Sequence, residues 1–372
     1  MTSAHSSTVE TIVARTIELT QTPAPTFDES DRAQALLQWW EELGVSSLHT
    51  DQVGNVIGQI RGIGSTRPAV LVCAHLDTVF DRDVLHETHL DGNILTGPSV
   101  GDDSVALAAL THLTEILPAD FDSPLWIAAT VGEEGLGNLN GVINLLDNPP
   151  ATFAYVIALE GNYLGRVNIT GVGSARYLVE LDGPGGHSWE ESHQPNAVEA
   201  AAHFVTAYRR LFDAKIAELH GKATLNFGTI FGGESVNSRA KGCAFSVDLR
   251  AEDAGTLAAI QELLESERGD HFDDFEVTVT ALGIRPAGSI EPDHPLVRAA
   301  VEAANRHGLE PTLSAASTDA NAAYARGLPA ITLGVAFGGD THTLREWIDI
   351  SSIDLGVTIL ADTLIALTTL EG

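Results

Sequence analysis

A histidine and an aspartate that stand one residue apart at the end of an apolar run give the clearest chemical signal in this 372-residue chain. Residues 72–79 predict a buried strand that carries His75 and Asp77 at its carboxyl end. Alternate residues of a strand share a face, and open α/β sheets bind ligands at that end. The pair therefore suits a metal-binding imidazole with an orienting carboxylate, although a lone histidine there is more often a hydrogen-bonded structural residue.

Three later segments and one further strand end supply the carboxylates and the second imidazole that such a site needs. Asp102 precedes a predicted helix, where an isolated aspartate would be an N-cap. Glu133 and Glu134 end a second apolar run, Glu160 ends a third, and His342 lies in a loop rich in glycine and threonine. Adjacent carboxylates repel each other unless a cation or a shared proton relieves them. One of the pair can bind metal while the other takes a proton from water.

The same side chains form the donor set of a dinuclear metal site. Hard carboxylates with two imidazoles suit zinc, and manganese or cobalt fits the same ligands. Counting ligands leaves Asp102 as the bridge between two ions. His75 and Glu160 would complete one ion, and Glu134 and His342 the other. We therefore expect two divalent cations, Zn²⁺ in the first place, in a hydrolase.

The order of predicted elements indicates a catalytic domain interrupted by an insert. Strands alternate with helices over residues 54–159, which indicates an α/β fold with a mostly parallel sheet covered by helices. After Gly171 the order changes to strand, helix, two strands, helix and strand, as in an α+β domain. The alternation resumes from Pro295. The expected domains are residues 1–173 with 286–372, and an insert of residues 174–285.

Composition limits the partners of the protein. A formal net charge of −31 argues against nucleic acid or anionic membrane as partners, because both require clustered cations. The acidity suits a cation-binding protein, and a salt-adapted or merely acidic proteome explains it equally well. No apolar run reaches the roughly 18 residues of a membrane span, and no secretory signal is evident, so a cytoplasmic protein is expected. Cys73 and Cys243 make no disulfide framework.

The whole series of motifs resembles the M20 metallopeptidase family, in the family's order and spacing and over essentially the whole chain. This family includes glutamate carboxypeptidase, peptidase T, aminoacylase and the acetylornithine and succinyl-diaminopimelate deacylases. The motifs are His-x-Asp at His75, Gly-Asp-Asp at Asp102, Glu-Glu-Gly at Glu133, the acid Glu160, Gly-Gly-His-Ser at His187, and Thr-His at His342 followed by an aromatic residue. The resemblance implies a zinc exopeptidase-like catalytic domain.

The resemblance also implies a role for each residue of the proposed site. Asp77 would orient a ligand, and Glu133 would be the general base. The insert would be a lid that forms a homodimer. The implied metal ligands are His75, Asp102, Glu134, Glu160 and His342.

The insert contributes the remaining candidates. The resemblance implies that His187 stabilises the oxyanion, often in the partner subunit. Without the resemblance, His187 would be interpreted as a loop histidine that caps the following helix. Asn237 and Arg250 match positions that engage the substrate carboxylate, and Arg285 is a further candidate for that task.

The implied reaction is hydrolysis of an amide bond in a small peptide or an N-acyl amino acid. The alternative is a catalytically silent homologue that binds metal or peptide. Many family members carry lysine and glycine after the bridging aspartate, whereas this chain has Asp103-Ser104-Val105. Glu160 occurs in deacylases, whereas residues 161–167 look more like peptidase T. Aminopeptidase, carboxypeptidase and deacylase therefore remain open.

Overall fold

The fold is taken from a computed structural model, which describes residues 2–219 and 221–368. The chain divides into two compact units. The larger unit comprises Met1–Thr170 and Ser289–Gly372, and the smaller unit comprises Gly171–Gly288. Each is described separately below.

The helices and strands follow one another in an order close to that predicted. The helices are α1 (Thr2–Gln21), α2 (Ser30–Glu42), α3 (Val105–Thr111), α4 (Leu113–Ile116), α5 (Asn140–Asp147), α6 (Ala197–Leu219), α7 (Ala254–His271), α8 (Pro295–Arg306), α9 (Ala320–Tyr324) and α10 (Ile353–Thr368). The strands are β1 (Ser46–Thr50), β2 (Val56–Arg61), β3 (Ala69–His75), β4 (His89–Asp91), β5 (Ile94–Thr96), β6 (Leu125–Thr130), β7 (Phe153–Glu160), β8 (Arg166–Gly171), β9 (Gly173–Asp182), β10 (Gly186–His187), β11 (Ala223–Gly232), β12 (Ser238–Arg239), β13 (Gly242–Ala251), β14 (Glu276–Arg285), β15 (Gly288–Ser289), β16 (Thr312–Ala316), β17 (Ala330–Gly334), β18 (Phe337–Gly339) and β19 (Trp347–Asp349).

The larger unit is built on a sheet in which β1, β2, β6, β3, β7, β17 and β8 lie side by side in that order. The four central strands β6, β3, β7 and β17 run parallel. The flanking strands β2 and β8 run antiparallel to their neighbours. The fold class predicted from the sequence is thus confirmed, with a parallel centre and antiparallel margins.

Helices cover both faces of this sheet, which is why its central strands are apolar throughout. Every residue of β3 and β6 is buried. Val70 and Val72 face a core that also contains residues of α1, α2, α3 and α10. Leu71 and Cys73 face the opposite core, which is formed with α5 and α9. Near-continuous apolar strands are expected where a parallel sheet is buried on both faces.

The smaller unit is an antiparallel sheet with the strand order β11, β13, β9, β14. Residues of α6 and α7 pack against this sheet in its own core. Phe204 of α6 lies at the centre of an aromatic cluster with Tyr208, Phe245 and Phe272. The strands β10 and β12 pair separately. The role of this unit as a lid and a dimerisation domain remains a prediction.

The last helical segment, which comprises a short 3₁₀ turn and α10, is long and apolar enough to cross a membrane by length and composition, although the sequence was expected to contain no such run. The segment Ile350–Thr368 has a mean hydropathy of 1.7, and 56% of the window is buried within the structure. Val357, Leu360 and Leu364 of this segment belong to the main core of the larger unit. The apolar residues of α10 therefore serve the packing of that unit.

Candidate metal centre

Five of the predicted side chains meet in two groups of three that share Asp102. The potential ligand atoms of His75, Asp102 and Glu160 lie within 4.8 Å of one another, and so do those of Asp102, Glu134 and His342. Nε2 of His75 is 2.8 Å from Oδ1 of Asp102, and Nε2 of His342 is 3.0 Å from Oδ2. Each imidazole thus faces its own oxygen of one carboxylate, as a bridge between two cations requires.

Parallel strands bring these residues together because their carboxyl ends meet at one edge of the sheet. His75 ends β3 and pairs with Thr130, the last residue of β6. Residues 131–134 continue from that point, and Glu160 ends β7 on the other side of β3. Asp102 lies in the turn Val100–Ser104 that leads into α3, and its backbone angles are not helical.

Asp77 connects the histidine to the two adjacent glutamates. Its carboxylate is fully buried, and Oδ1 and Oδ2 accept hydrogen bonds from the backbone N–H groups of Glu133 and Glu134, each at 2.9 Å. Oδ2 also accepts the hydroxyl of Thr26 at 2.8 Å. Nδ1 of His75 lies 3.0 Å from the carbonyl oxygen of Asp77 and 3.5 Å from its Oδ1. Asp77 therefore supports both the imidazole and the glutamate pair.

Glu133 lies within the same cluster but outside the two groups that share Asp102. Its ligand atom lies within 4.8 Å of those of His75 and Glu134. Both glutamates are buried, at 5% and 6% exposure. Geometry thus allows Glu133 either to bind a cation or to act on a water molecule beside it, and a variant is needed to distinguish the two.

Buried negative charge dominates the electrostatics of the cluster. Burial, reinforced by the charge of Asp102, raises the pKa of Glu134 to about 7. Burial and the same charge raise the pKa of Glu160 well above its usual range. Burial lowers the pKa of His75, but the carboxylates of Asp103, Asp102 and Asp77 outweigh it and raise that pKa strongly. Hydrogen bonds that the carboxylates of Asp102 and Glu134 accept from its imidazole raise the pKa of His342 to about 10. Divalent cations fit this donor set, since they would relieve its mutual repulsion.

Three residues that support the cluster were not assigned to it from the sequence. Asp103 accepts the backbone N–H of His75 at 3.0 Å and that of Gly161 at 2.9 Å. The second aspartate of the Gly-Asp-Asp motif is therefore a buried acid between two ligand-bearing strands. Glu346 accepts backbone N–H groups of the loops that carry Asp102 and His342. The only sequence signal for a role of Glu346 was its position four residues after the candidate ligand His342.

Arg32 is the third unassigned residue and the buried counter-charge beneath the site. It is fully buried and donates to the carbonyl oxygens of Thr22 and Leu76 and to the hydroxyl of Ser99. Burial lowers the pKa of Arg32 to about 10, against the opposing charges of Asp77 and Asp103. Nothing in the sequence around Arg32 distinguishes it from a helix-surface arginine.

The candidates of the smaller unit fall into two groups at opposite ends of its sheet. Arg250 and Arg285 both pair with Ser174, near the start of β9. Arg285 is buried, whereas the half-exposed Arg250 forms an ion pair with Asp248. His187 and Asn237 lie beyond the other end of β9.

His187 and Asn237 are held next to each other by the pairing of β10 with β12. The backbone N–H of Ser188 donates to the carbonyl oxygen of Asn237 at 3.0 Å. Nδ1 of the exposed His187 accepts the backbone N–H groups of Trp189 and Glu190 at 3.3 and 3.4 Å. Its imidazole caps a turn and not a helix, because the next helix, α6, begins only at Ala197.

The sequence matches peptidase family M20/M25/M40 over residues 71–366. The chain belongs to this family. Acetylornithine deacetylase of Vibrio vulnificus is 23% identical to it over 360 residues, which cover 91% of this chain and 92% of the relative. Membership in the M20 family confirms the resemblance and makes the chain a metal-dependent amide hydrolase.

Solved structures show the same fold. A tripeptidase of Staphylococcus aureus has a TM-score of 0.79 at 19% identity, with 97% of this chain and 99% of that chain covered. An aminopeptidase of Bacillus cereus has a TM-score of 0.76 at 20% identity, with the same two shares covered. A dinuclear metal-binding M20 peptidase of Bacillus subtilis has a TM-score of 0.70 at 14% identity and covers 98% of this chain and 99% of its own.

Proposed function

We propose that this M20 protein uses two divalent cations to hydrolyse the amide bond of a small peptide or an N-acyl amino acid. The observation that carries the proposal is the pair of ligand groups that share the two oxygens of Asp102. In this proposal His75, Asp102 and Glu160 hold one ion, and Asp102, Glu134 and His342 hold the other. Zn²⁺ is the first choice for this donor set, with Mn²⁺ and Co²⁺ as alternatives.

The bound ions would polarise the scissile carbonyl and lower the pKa of water. Glu133 would take the proton from the attacking water and deliver it to the leaving amine. Asp77 would keep that glutamate in place through its backbone N–H, which the carboxylate of Asp77 accepts at 2.9 Å. His187 would donate to the developing oxyanion. Asn237 and Arg250 would hold the substrate carboxylate, and Arg285 is a further candidate for the same task.

The layout of the smaller unit supports a homodimer in which the partner completes the site. Ser174, which pairs with Arg250, and Asp182, which precedes the His187 loop, mark the two ends of β9. With a rise of roughly 3.3 Å per residue, these ends are about 26 Å apart. A small substrate cannot span that distance. We therefore propose that Arg250 acts on the substrate of one chain while His187 and Asn237 act on that of the other, and the family resemblance favours His187 as the residue that acts in the partner.

Replacement of Glu133 tests the mechanism. Glu133→Gln should bind two ions per chain like the wild type, while its kcat falls on the order of 100-fold or more. Glu134→Gln removes a proposed ligand and should lose an ion as well as activity. Glu310→Gln, at an exposed position, is the control for loss of one carboxylate. Wild-type turnover by Glu133→Gln would refute the assignment, and loss of an ion from that variant would make Glu133 a ligand.

A substrate panel separates the enzyme from its silent alternative. Chelated protein reconstituted with Zn²⁺, Mn²⁺ or Co²⁺ would be assayed against dipeptides, tripeptides and N-acyl amino acids. Metal-dependent hydrolysis of any of these substrate classes would support the enzyme hypothesis, and the class that is hydrolysed would identify the enzyme as a peptidase or a deacylase. Stoichiometric metal binding without hydrolysis of any class would favour the catalytically silent binding protein.

Mixing two inactive variants tests whether His187 acts in the partner. His187→Ala and Glu133→Gln, combined in equal amounts after reversible dissociation, should recover about a quarter of the wild-type rate, because half of the random dimers contain one complete site. No recovery in mixtures proven to contain mixed dimers would show that His187 acts within its own chain.

A further inference from the structure

We propose that Glu346 is a positioning residue that holds His342, and thereby determines the affinity of one of the two ions. The inference rests on the proposed function, because it assumes that His342 binds a cation. Glu346 itself is not among the five proposed ligands, and its effect would be transmitted through the backbone of the loop that carries His342.

The Glu346 carboxylate joins two segments that are far apart in the sequence. Its side chain is fully buried. Oε1 accepts the backbone N–H groups of Gly101 and Asp102, both at 2.7 Å. Oε2 accepts the backbone N–H of His342 at 3.3 Å. One carboxylate therefore ties the loop of the bridging aspartate to the loop of a histidine in the same ligand group.

The approach of Glu346 to the Asp102 loop depends on a glycine. A Cβ atom on Gly101 would lie 2.8 Å from the side chain of Asn162 and 3.0 Å from Oε1 of Glu346. Both distances are shorter than ordinary van der Waals contacts. The backbone N–H of Gly101 is reached by the carboxylate because no side chain occupies that space. The contact between Glu346 and the Asp102 loop thus depends on glycine at position 101 as well as on glutamate at position 346.

His342 needs such support because neither its backbone conformation nor its packing holds it. Its φ is +64°, a left-handed conformation that residues other than glycine rarely adopt. Its side chain is 52% exposed, whereas that of His75 is 2% exposed. A residue with few buried contacts is free to move unless hydrogen bonds restrain it. The backbone bond to Glu346 restrains His342 at the ligand residue itself.

Asp103 provides an internal comparison at the other ligand group. Its two oxygens accept the backbone N–H groups of His75 and of Gly161, the residue after Glu160. Each proposed ion thus has a buried carboxylate that ties two of its ligand-bearing segments together without being a proposed ligand. Replacement of Asp103 should therefore affect the ion that Glu346 leaves unaffected.

The variant Glu346→Gln separates the two ends of the contact. The amide oxygen can replace Oε1, which accepts two N–H groups, and this leaves the NH₂ group facing the N–H of His342. Two donors then oppose each other, so the histidine loop is released while the Asp102 loop stays bound. Loss of an outer-shell partner typically weakens metal binding about 10–100-fold. We expect this loss for one ion and unchanged affinity for the other.

A double-mutant cycle shows whether Glu346 acts through His342. Zn²⁺ and Co²⁺ affinities would be measured by competition with a chelator for wild type, Glu346→Gln, His342→Ala and the double variant. Glu346→Gln should cause no further loss once His342 is absent. The Co²⁺ absorption spectrum should change for the ion whose affinity is lost and remain as in wild type for the other. Asp103→Asn should give the reverse pattern, and Glu310→Gln should match the wild type.

Several outcomes would overturn the proposal. They are wild-type affinities in Glu346→Gln, equal weakening of both ions, or additive losses in the double variant. Thermal unfolding of the metal-free variants identifies a general loss of fold, which would weaken both ions together. Failure of the proposed function is a different result, since the wild type would then bind fewer than two ions or hydrolyse no amide after loading.

Discussion

Asparagine at position 77 is the most informative single substitution for the support of the candidate site. Asp77→Asn keeps the size and shape of a fully buried side chain but replaces one acceptor oxygen with a donor. The amide oxygen of the asparagine is best placed at the position of Oδ2, which in the wild type accepts the backbone N–H of Glu134 and the hydroxyl of Thr26. The new NH₂ group would then face the backbone N–H of Glu133, which Oδ1 accepts in the wild type.

The expected cost follows from these contacts. A hydrogen bond to a charged acceptor contributes about 1.5–3 kcal/mol, and a buried donor left without a partner costs about 1–3 kcal/mol. Because the two values describe overlapping parts of one loss, we expect the free energy of unfolding of the metal-free protein to fall by about 2–4 kcal/mol. The segment of Glu133 would also be displaced, and a comparable outer-shell loss lowers metal affinity or activity about 10–100-fold.

Two measurements on the same preparations test this reasoning. Denaturant unfolding of the chelated protein gives the stability change, and kcat/KM after metal reconstitution gives the functional change. Thr26→Val is the matched control, because it removes only the hydroxyl contact to Asp77 and should cost about 1 kcal/mol. A free energy of unfolding within about 0.5 kcal/mol of the wild type, the range of neutral surface changes, together with full turnover, would refute the role of Asp77.

Three further predictions concern other parts of the chain. Arg32→Met leaves three acceptor oxygens without their donor and increases the excess of negative charge, so denaturant unfolding should show a free energy of unfolding about 3–5 kcal/mol lower than in the wild type. Asp253→Ala removes the N-cap of α7, which accepts the N–H of Thr256, and should lower the free energy of unfolding by about 1 kcal/mol above pH 4. This difference should disappear as the pH falls, because the same hydrogen bond lowers the pKa of Asp253 and is lost when the carboxylate is protonated. Burial, with the charge of Asp102 adding to it, raises the pKa values of Glu134 and Glu346 to about 7 and about 8, so the thermal stability of chelated protein should fall as the pH rises from 4.5 through 8. Equal pH slopes with and without metal would contradict this last prediction.

The order of the main strands and helices in the larger unit could be predicted because the apolar runs that mark them are local features of the sequence. The run that became β3 is apolar along its whole length, as a strand buried on both faces must be. The helix predicted after Asp102 instead ends at Thr111 and restarts at Leu113, with a non-helical His112 between them. The strand β1 and the small sheet of β18, β19, β5 and β4 were not predicted, since these strands are short and mostly exposed or half-exposed. The mostly buried β8 was not predicted either.

Two of the candidate ligands, His75 and Glu160, could be predicted because they end the parallel strands β3 and β7, and Glu134 because it closely follows the end of β6. The supporting residues could not, since their roles depend on contacts between distant segments. Glu346 reaches Gly101 across 245 positions, and Arg32 reaches Ser99 across 67. Asp103 was recognised only as part of the Gly-Asp-Asp motif and of the segment that follows the bridging aspartate, without a role of its own. Such residues act on backbone groups, and a sequence pattern carries no information about which backbone group an acid will meet.

The unequal exposure of the two histidines has a consequence for how the protein would respond to scarce metal. An ion held by the enclosed His75 group exchanges with solvent only when the fold opens locally, whereas one held by the half-exposed His342 can be displaced by a passing chelator or competing cation. The chain would then fill its inner position first and lose its outer position first. Its catalytic output would follow the supply of free cation through the outer ion, while the inner ion stayed in place as part of the folded unit.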